Sequence, residues 1–250
     1  MRPMQGRTRA LILAAGRGER MRPLSDATPK PLLAVRGKAL IEWQLEALAR
    51  AGVREVVINT AWLEAQFPAR LGDGSRYGLA ISYSMEGRDH GGALETAGAI
   101  VKALPLLATA DEPFWVVSGD VFVPGFAFEA EAVRRFAAGV ALAQLWLVPN
   151  PPHHAQGDFG IAEGLAVREA PRFTWSSIGL FRPRFATELM PDLAPGGKAA
   201  LRPYLEAAID RRALGATLWR GAWTDVGTPE RLAELSRADG GAMPRGAPTG

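Results

Sequence analysis

Residues 10–14, Ala-Leu-Ile-Leu-Ala, limit the folds open to this chain more than any other segment, because they form an unbroken apolar run and a loop containing Gly16 and Gly18 follows at once. Such a run is typical of a strand buried on both faces of a parallel sheet. Similar runs recur at residues 55–59, 80–84 and 114–118, with segments of helical apolar spacing between them. This alternation predicts an α/β fold with a doubly wound, mostly parallel sheet, in which ligands bind beyond the carboxyl ends of the strands.

The pattern changes after a predicted strand at residues 140–148, where Pro149-Asn-Pro-Pro-His-His interrupts regular structure. Short strands predicted near residues 159–161 and 166–167 indicate a small β-rich lobe. The 250 residues, 48% hydrophobic and 22% charged, suit one folded core. We therefore predict a single domain over residues 1–236, divided functionally near residue 125. The tail at residues 237–250, rich in Gly, Ala and Pro, is predicted to be disordered.

Composition excludes several classes of function. The 29 basic and 26 acidic residues give a net charge of +3 without a basic block, so we expect no nucleic-acid partner. The absence of cysteine excludes disulfides, thiolate zinc sites and thiol catalysis. No stretch approaches the roughly 20 apolar residues that span a bilayer, and the basic N-terminus lacks a secretory signal. We expect a cytoplasmic enzyme without a membrane partner; its oligomeric state is left open.

The segment from Gly16 to Lys30 suggests phosphate binding. Glycines after a strand let backbone N–H groups approach phosphate oxygens, although Gly-x-Gly alone is equally typical of a tight turn. The loop matches neither a dinucleotide fingerprint nor a Walker loop. Pro29 and Pro31, however, flank Lys30 and hold its ammonium on a stiff arm. Rigid cations suit phosphoryl and nucleotidyl transfer, in which negative charge must be positioned and offset.

The whole segment resembles the sugar-1-phosphate nucleotidyltransferase family, whose members carry Leu-Ala-Ala-Gly-x-Gly-x-Arg…Pro-Lys-Pro near the start. The resemblance covers about residues 10–236 and implies a Rossmann-like nucleotidyltransferase fold. It implies a nucleoside triphosphate and a sugar 1-phosphate as substrates, bound by the parts at about 10–125 and 126–236, the second containing the β-rich sugar-binding lobe. For this chain it assigns catalysis to Arg22 and Lys30, and nucleotide binding to Leu13, Ala14, Ala15, Gly16, Arg17 and Gly18.

Two aspartates complete the predicted reaction centre. Asp120 follows an apolar strand in Ser118-Gly-Asp, and Asp225 lies in Trp223-Thr-Asp-Val-Gly-Thr. Converging carboxylates suit Mg²⁺, whose other ligands would come from substrate phosphates and water. The family resemblance implies that Asp120 and Asp225 are catalytic metal ligands. Taken singly, each aspartate is also typical of a helix cap or a turn.

Glu86 and Gly98 are the predicted base-binding residues. Glu86 lies about where many family members carry a base-reading glutamine, and its carboxylate would accept a hydrogen bond from the N3–H of a pyrimidine. The alternative is a solvated loop residue. Gly98 belongs to a segment where the family has a glycine pair, but this chain has Ala97 before it.

The segment Asn150-Pro-Pro-His-His-Ala-Gln-Gly-Asp-Phe159 indicates the sugar. It resembles the Asn-Pro-x-His-His-x-x-Gly-Asp-Phe stretch of the N-acetylmuramate α-1-phosphate uridylyltransferases of bacterial peptidoglycan recycling. The resemblance implies that Asn150, Gly157 and Asp158 lie near the sugar. Ser177 stands where relatives usually have glycine. The two adjacent histidines are not predicted to bind metal, because neighbours in sequence rarely face one ion.

Other readings remain open at this stage. Within the same class of enzyme, they are a glucose-1-phosphate thymidylyl- or uridylyltransferase and a mannose-1-phosphate guanylyltransferase. From a different class, the alternative is a non-catalytic sensor of nucleotide sugars. The retention of Arg22, Lys30, Asp120 and Asp225 favours an enzyme.

Overall fold

The computed structural model describes residues 8–108 and 110–237. Most of the predicted disordered tail, residues 238–250, lies outside the described residues. The strands are β1 (Arg9–Leu13), β2 (Ala34–Val35), β3 (Lys38–Ala39), β4 (Glu55–Thr60), β5 (Ala80–Met85), β6 (Phe114–Ser118), β7 (Val121–Phe122), β8 (Ala143–Val148), β9 (Gly160–Ala162), β10 (Leu165–Val167), β11 (Thr174–Phe181), β12 (Leu214–Leu218) and β13 (Thr224–Asp225). The helices are α1 (Leu24–Ala27), α2 (Leu40–Arg50), α3 (Gln66–Leu71), α4 (Glu86–His90), α5 (Glu95–Leu107), α6 (Ala130–Ala138), α7 (Pro183–Leu189), α8 (Arg202–Asp210) and α9 (Pro229–Arg237). Short 3₁₀ turns occupy Glu19–Met21, Lys30–Leu32, Ser75–Tyr77 and Pro152–His154.

One nine-stranded sheet organises the chain, in the order β5-β4-β1-β6-β11-β8-β12-β10-β9. Strands β5, β4, β1 and β6 run parallel, and β12 is parallel to β8. Strand β11 is antiparallel to both of its neighbours, β6 and β8. The predicted α/β class with a mostly parallel sheet is confirmed. The predicted β-rich stretch contains β9 and β10, which extend this same sheet at its far edge.

Alternating side chains on the central strands pack against helices on both faces. Leu11 of β1 and Val116 of β6 belong to a core that includes buried residues of α5, α7 and α8. Ile12 and Val117, their successors, lie on the opposite face in a core with α2, α3 and α6. Because successive side chains of a strand point to opposite faces, continuous apolar runs are what a doubly covered sheet requires.

Several predicted bounds shift by a few residues. The helix expected near residue 61 begins only at Gln66, and the strand expected from residue 140 begins at Ala143. Val140 itself is exposed, which explains why an apolar residue there does not extend the strand. Within the described ranges, no helix is long and apolar enough to cross a membrane.

Candidate active site

A cleft of about 600 Å³ opens beyond the carboxyl ends of β1, β4 and β6. Its lining includes all six residues from Leu13, the last residue of β1, to Gly18. The first half of the chain supplies Glu19, Arg20, Met21, Lys30, Pro31, Asn59, Ala93, Glu95, Thr96, Ser118 and Asp120 to the cleft, and the second half supplies Trp175, Ser177 and Gly227. The position agrees with the general rule that open α/β sheets bind ligands at this edge.

Close packing explains the glycine at residue 18. Its backbone is left-handed, with φ of 66°. A Cβ atom there would lie 3.2 Å from Lys30 Cβ, which is tight for an added atom. Glycine tolerates both conditions, so the loop can fold directly onto the lysine arm.

Lys30 and Asp120 form the charged centre of the cleft. The lysine is buried, and its Nζ lies 2.5 Å from Asp120 Oδ2. Ser118 donates its hydroxyl hydrogen to Asp120 Oδ1 at 2.6 Å. The carboxylate therefore has a fixed orientation beside the Lys30 ammonium. The prolines on both sides of Lys30 predicted a rigid position for that cation.

Asp225 reaches the same edge through a short antiparallel ladder. Strand β13 pairs with β7, which places Asp225 opposite Val121. The Val226 N–H donates to the Asp120 carbonyl oxygen at 3.1 Å. Residues 105 positions apart in sequence therefore have adjacent backbones at this edge of the sheet.

The two oxygens of Asp225 have different environments. Arg231 donates to Oδ2 at 2.7 Å. Oδ1 is buried and accepts no hydrogen bond; His153 Nε2 lies 3.0 Å from it, but without hydrogen-bond alignment. A buried acceptor without a donor suits a cation. Among the described residues no three or more His, Asp or Glu side chains form a metal cluster, so an ion here would take its remaining ligands from substrate and water.

The structure places Arg22 away from the cleft. Its Nε lies 2.9 Å from Asp26 Oδ1, and its side chain is about half exposed. Arg20, two residues earlier, lines the cleft instead. Between them Met21 is completely buried in the 3₁₀ turn. The predicted catalytic role of Arg22 does not agree with this placement, and Arg20 is the candidate arginine that faces the cleft.

Glu86 is a structural residue that does not line the cleft. It is fully buried, accepts from Asn59 Nδ2 at 2.8 Å and accepts from the Leu94 N–H at 2.8 Å. Burial raises the pKa of its carboxyl despite these two hydrogen bonds. The Ala14 N–H donates to the same Asn59 side chain, at Oδ1. Glu86 thus fixes the ends of β1 and β4 and the start of α5, and a base cannot reach it here.

Gly98 also lies outside the cleft lining. A Cβ atom there would lie 2.3 Å from the Gly197 carbonyl oxygen, so the glycine permits close packing of that loop on α5. The Ala97 N–H donates to the Ala199 carbonyl oxygen at 3.0 Å in the same contact. Thr96 and Glu95, two and three residues earlier, line the cleft.

The three predicted sugar-binding residues shape a loop. Asn150 donates to the carbonyl oxygens of Ala155 and Arg172, both at 3.0 Å. Gly157 is left-handed, and a Cβ there would lie 2.7 Å from Asn150 Oδ1. Asp158 accepts from the Trp175 N–H at 2.8 Å. These contacts hold the loop against β11 and bring His153 to Asp225, a placement that the sequence did not predict.

Asn59, Thr96, Trp175, His153 and Arg231 are site residues that sequence reasoning missed. Asn59 ends one apolar run, and Asp120 follows the end of another by two residues. This shared position at a strand end is the signal that could have identified Asn59. Arg231 follows Asp225 by six residues, at the start of α9, and nothing local indicates its contact.

The chain matches known proteins along nearly its whole length. The family model described as nucleotidyl transferase matches residues 9–240. The chain is 44% identical over 241 residues to the N-acetylmuramate alpha-1-phosphate uridylyltransferase of Neisseria meningitidis serogroup B, covering 93% of this chain and 98% of that protein. It is 30% identical over 249 residues to a glucose-1-phosphate thymidylyltransferase of N. meningitidis serogroup A, covering 91% of this chain and 81% of that protein.

A solved structure shows the same fold. A Bacillus anthracis chain assigned as a glucose-1-phosphate thymidylyltransferase, in complex with a sucrose, superposes with a TM-score of 0.79. The match covers 96% of this chain and 98% of the other at 21% identity.

Proposed function

This chain belongs to the nucleotidyl transferase family and is a sugar-1-phosphate nucleotidyltransferase, and on that premise we propose that it joins UTP and N-acetylmuramate α-1-phosphate, giving UDP-N-acetylmuramate and pyrophosphate. The observation that carries the reaction type is the convergence of Lys30, Asp120 and Asp225 at one edge of the sheet. The uridylyl and N-acetylmuramate specificities rest on the 44% identity to the Neisseria enzyme. The reaction then belongs to peptidoglycan recycling in the cytoplasm, where UTP is made.

In the proposed reaction, a phosphate oxygen of the sugar 1-phosphate attacks the α-phosphorus of UTP in line. The bond from the α-phosphorus to the bridging oxygen breaks, and pyrophosphate leaves with its electron pair. Lys30 offsets negative charge that grows on the phosphate oxygens, and the loop from Gly16 to Gly18 binds phosphate through its backbone N–H groups. Arg20 lies at the cleft to hold the leaving pyrophosphate. The residues act by position and charge, without a covalent intermediate on the protein.

The carboxylates fit Mg²⁺. Asp120 and Asp225 would hold the ion. The observation that favours this assignment is that the buried Oδ1 atom of Asp225 accepts no hydrogen bond. A bound Mg²⁺ ion would polarise the α-phosphate and reduce repulsion between the two substrates. Two protein carboxylates match the usual Mg²⁺ site, in which substrate phosphates and water complete the octahedron.

The alternative sugars and bases stay within the same reaction. Since Glu86 is buried, base selection falls to residues that line the cleft, among them Thr96. One assay can therefore compare uridylyl transfer with thymidylyl and guanylyl transfer. The same assay compares N-acetylmuramate α-1-phosphate with glucose 1-phosphate and mannose 1-phosphate. The rival from another class is a sensor that binds nucleotide sugars without catalysis.

Pyrophosphate release with four nucleoside triphosphates and a panel of sugar 1-phosphates tests the proposal. We expect the highest kcat/KM with UTP and N-acetylmuramate α-1-phosphate. A clear preference for another pair would replace the proposed substrates, and nucleotide binding without pyrophosphate release from any pair would favour the sensor.

The variant Asp225→Asn tests the metal assignment. We expect kcat to fall at least about 100-fold, because a neutral amide binds Mg²⁺ poorly. Asp210→Asn is the matched control, because Asp210 is exposed and pairs with Arg168 outside the cleft lining. Near wild-type turnover by Asp225→Asn would remove Asp225 from the metal site.

A further inference from the structure

Ser177 combines an unfavourable backbone with a position in the cleft. In the described part of the chain, the non-glycine residues with positive φ are Arg36, Leu63, Glu95, Ala110, Glu163, Ser177 and Arg212. Of these, Glu95 and Ser177 line the cleft. Left-handed backbone costs any residue with a Cβ atom more than it costs glycine. A side chain kept at such a position calls for a functional explanation.

Neighbouring residues, and not Ser177 itself, determine this conformation. The pairing of β11 with β8 shifts register between Trp175 and Ile178, which forms a bulge. Trp175 Nε1 donates to the Ile178 carbonyl oxygen at 3.0 Å, and the Ser176 hydroxyl donates to the Trp146 carbonyl oxygen at 2.7 Å. Trp223 Nε1 donates to the Ser176 carbonyl oxygen at 3.0 Å. Glycine would fit this bulge with less strain.

Among the residues the structure describes, the Ser177 hydroxyl makes no hydrogen bond, whereas the nearby Ser118 hydroxyl donates to Asp120. Glu95, the other left-handed residue of the cleft, has a cation 3.9 Å away at Lys198 Nζ. Ser177 therefore offers an unused donor and acceptor to the cleft.

The strand order places this hydroxyl on the acceptor side of the reaction centre. Ile178 pairs with Val117, so Ser177 lies beside the end of β6 that leads to Asp120. The nucleotide loop follows β1, on the other side of β6. Trp175 and Gly227 share the Ser177 side of the cleft lining and come from the second half of the chain.

We propose that Ser177 is a specificity-determining residue whose hydroxyl hydrogen-bonds an oxygen of the sugar moiety of the bound sugar 1-phosphate. The proposal rests on the proposed function and deepens it, since it assigns a sugar contact to a position where glycine would be less strained. Ser177 is one of the residues that line the cleft, at the bulge of β11.

Calorimetric binding of UDP and UDP-N-acetylmuramate to Ser177→Ala and Ser177→Gly tests this contact. We expect both variants to bind UDP-N-acetylmuramate about 3- to 10-fold more weakly, because one neutral hydrogen bond is lost. Both should bind UDP with an affinity within about 2-fold of wild type. Ser177→Gly should also unfold at a temperature about 2–4 °C higher, because it relieves the left-handed backbone.

Glu163→Gly is the matched control. Glu163 is left-handed with φ of 51°, but it is exposed in the turn between β9 and β10 and does not line the cleft. We expect this variant to gain thermal stability with unchanged affinity for both ligands.

Two outcomes would overturn the proposal: unchanged affinity of both Ser177 variants for UDP-N-acetylmuramate, or equal losses for UDP and for the nucleotide sugar. If wild type binds another nucleotide sugar and not UDP-N-acetylmuramate, the proposed function fails. The same variants measured with the sugar that does bind then decide the role of Ser177 separately.

Discussion

At the scale of single residues, charge pairing inside the cleft decides which cations are left for substrate phosphates. Lys30 pairs with Asp120, and Arg231 pairs with Asp225. In the described structure, neither Arg17 nor Arg20 has an ion pair, and the Arg17 guanidinium lies 4.3 Å from the ring centroid of Trp62. The mouth of the cleft thus has unpaired positive charge, which would suit a triphosphate, while each of the two aspartates proposed to bind metal is paired with a cation.

Exchanging the two candidate arginines for alanine distinguishes their roles. We expect Arg20→Ala to lower kcat/KM about 100-fold, because it removes a cation that faces the phosphates. Arg22→Ala should stay within about 3-fold of wild type, since it removes only a half-exposed pair with Asp26. Pyrophosphate release measures both. A larger loss in Arg22→Ala would return the phosphate role to that residue.

The sequence predicted some of these residues for physical reasons that hold in the structure. Pro29 and Pro31 restrict the backbone around Lys30, and this local constraint survives folding. The sequence did not predict that Arg20, and not Arg22, lines the cleft, because the direction of a side chain in a loop depends on which neighbours are buried. Met21, between the two arginines, is the buried residue here, and the sequence pattern alone does not distinguish Arg20 from Arg22. His153 reaches Asp225 only through the tertiary fold.

At the scale of elements, one buried network aligns the parts that form the nucleotide side of the cleft. Asn59, at the end of β4, accepts from Ala14 and donates to Glu86, and Glu86 accepts from Leu94 just before α5. Strand β5 passes directly into α4, so Glu86 has no loop in which to be solvated. That direct junction is why a polar residue, interpreted from sequence as a candidate base reader, is part of the core.

The raised pKa of Glu86 predicts a pH-dependent effect of Glu86→Gln on stability. Burial raises the pKa of this carboxyl above its ordinary value of 4.5. Its contribution to stability is therefore present below the ordinary pKa and is lost as pH rises through the raised pKa. Glutamine cannot ionise, but its amide nitrogen cannot accept a hydrogen bond, so one of the two bonds from Asn59 and Leu94 is lost at every pH. We therefore expect Glu86→Gln to be less stable than wild type near pH 4, and this deficit to shrink as pH rises to 7.

Urea unfolding at pH values between 4 and 7 measures this difference. Glu163→Gln, at an exposed position, controls for the general effect of removing one negative charge. A wild-type advantage over Glu86→Gln that grows with pH would show that the two hydrogen bonds outweigh burial of the charge.

At the scale of the whole molecule, both halves share one sheet and the cores on its two faces. Strands β6 and β11 belong to different halves and pair along four residues from Ile178 to Phe181. Trp115 of β6 and Trp146 of β8 have ring centroids 4.9 Å apart, and Phe126 and Trp219 join the same aromatic group. The division near residue 125, which the sequence predicted from function, therefore crosses a continuous hydrophobic core. Pairing of strands so distant in sequence left no local pattern from which to predict this continuity.

A shared sheet predicts that the two halves unfold together. We expect tryptophan fluorescence and far-UV circular dichroism to give one coincident transition, with equal calorimetric and van't Hoff enthalpies. UTP with Mg²⁺, at about 100 times its Kd, should stabilise the protein by about 2.7 kcal/mol and move both signals equally, although we expect UTP to contact mainly the first half. If the halves were independent, the ligand would shift only part of the signal and separate the two transitions. Coincidence with and without UTP would mean that binding energy gained at the β1 loop also stabilises β9 and β10 at the far edge of the sheet.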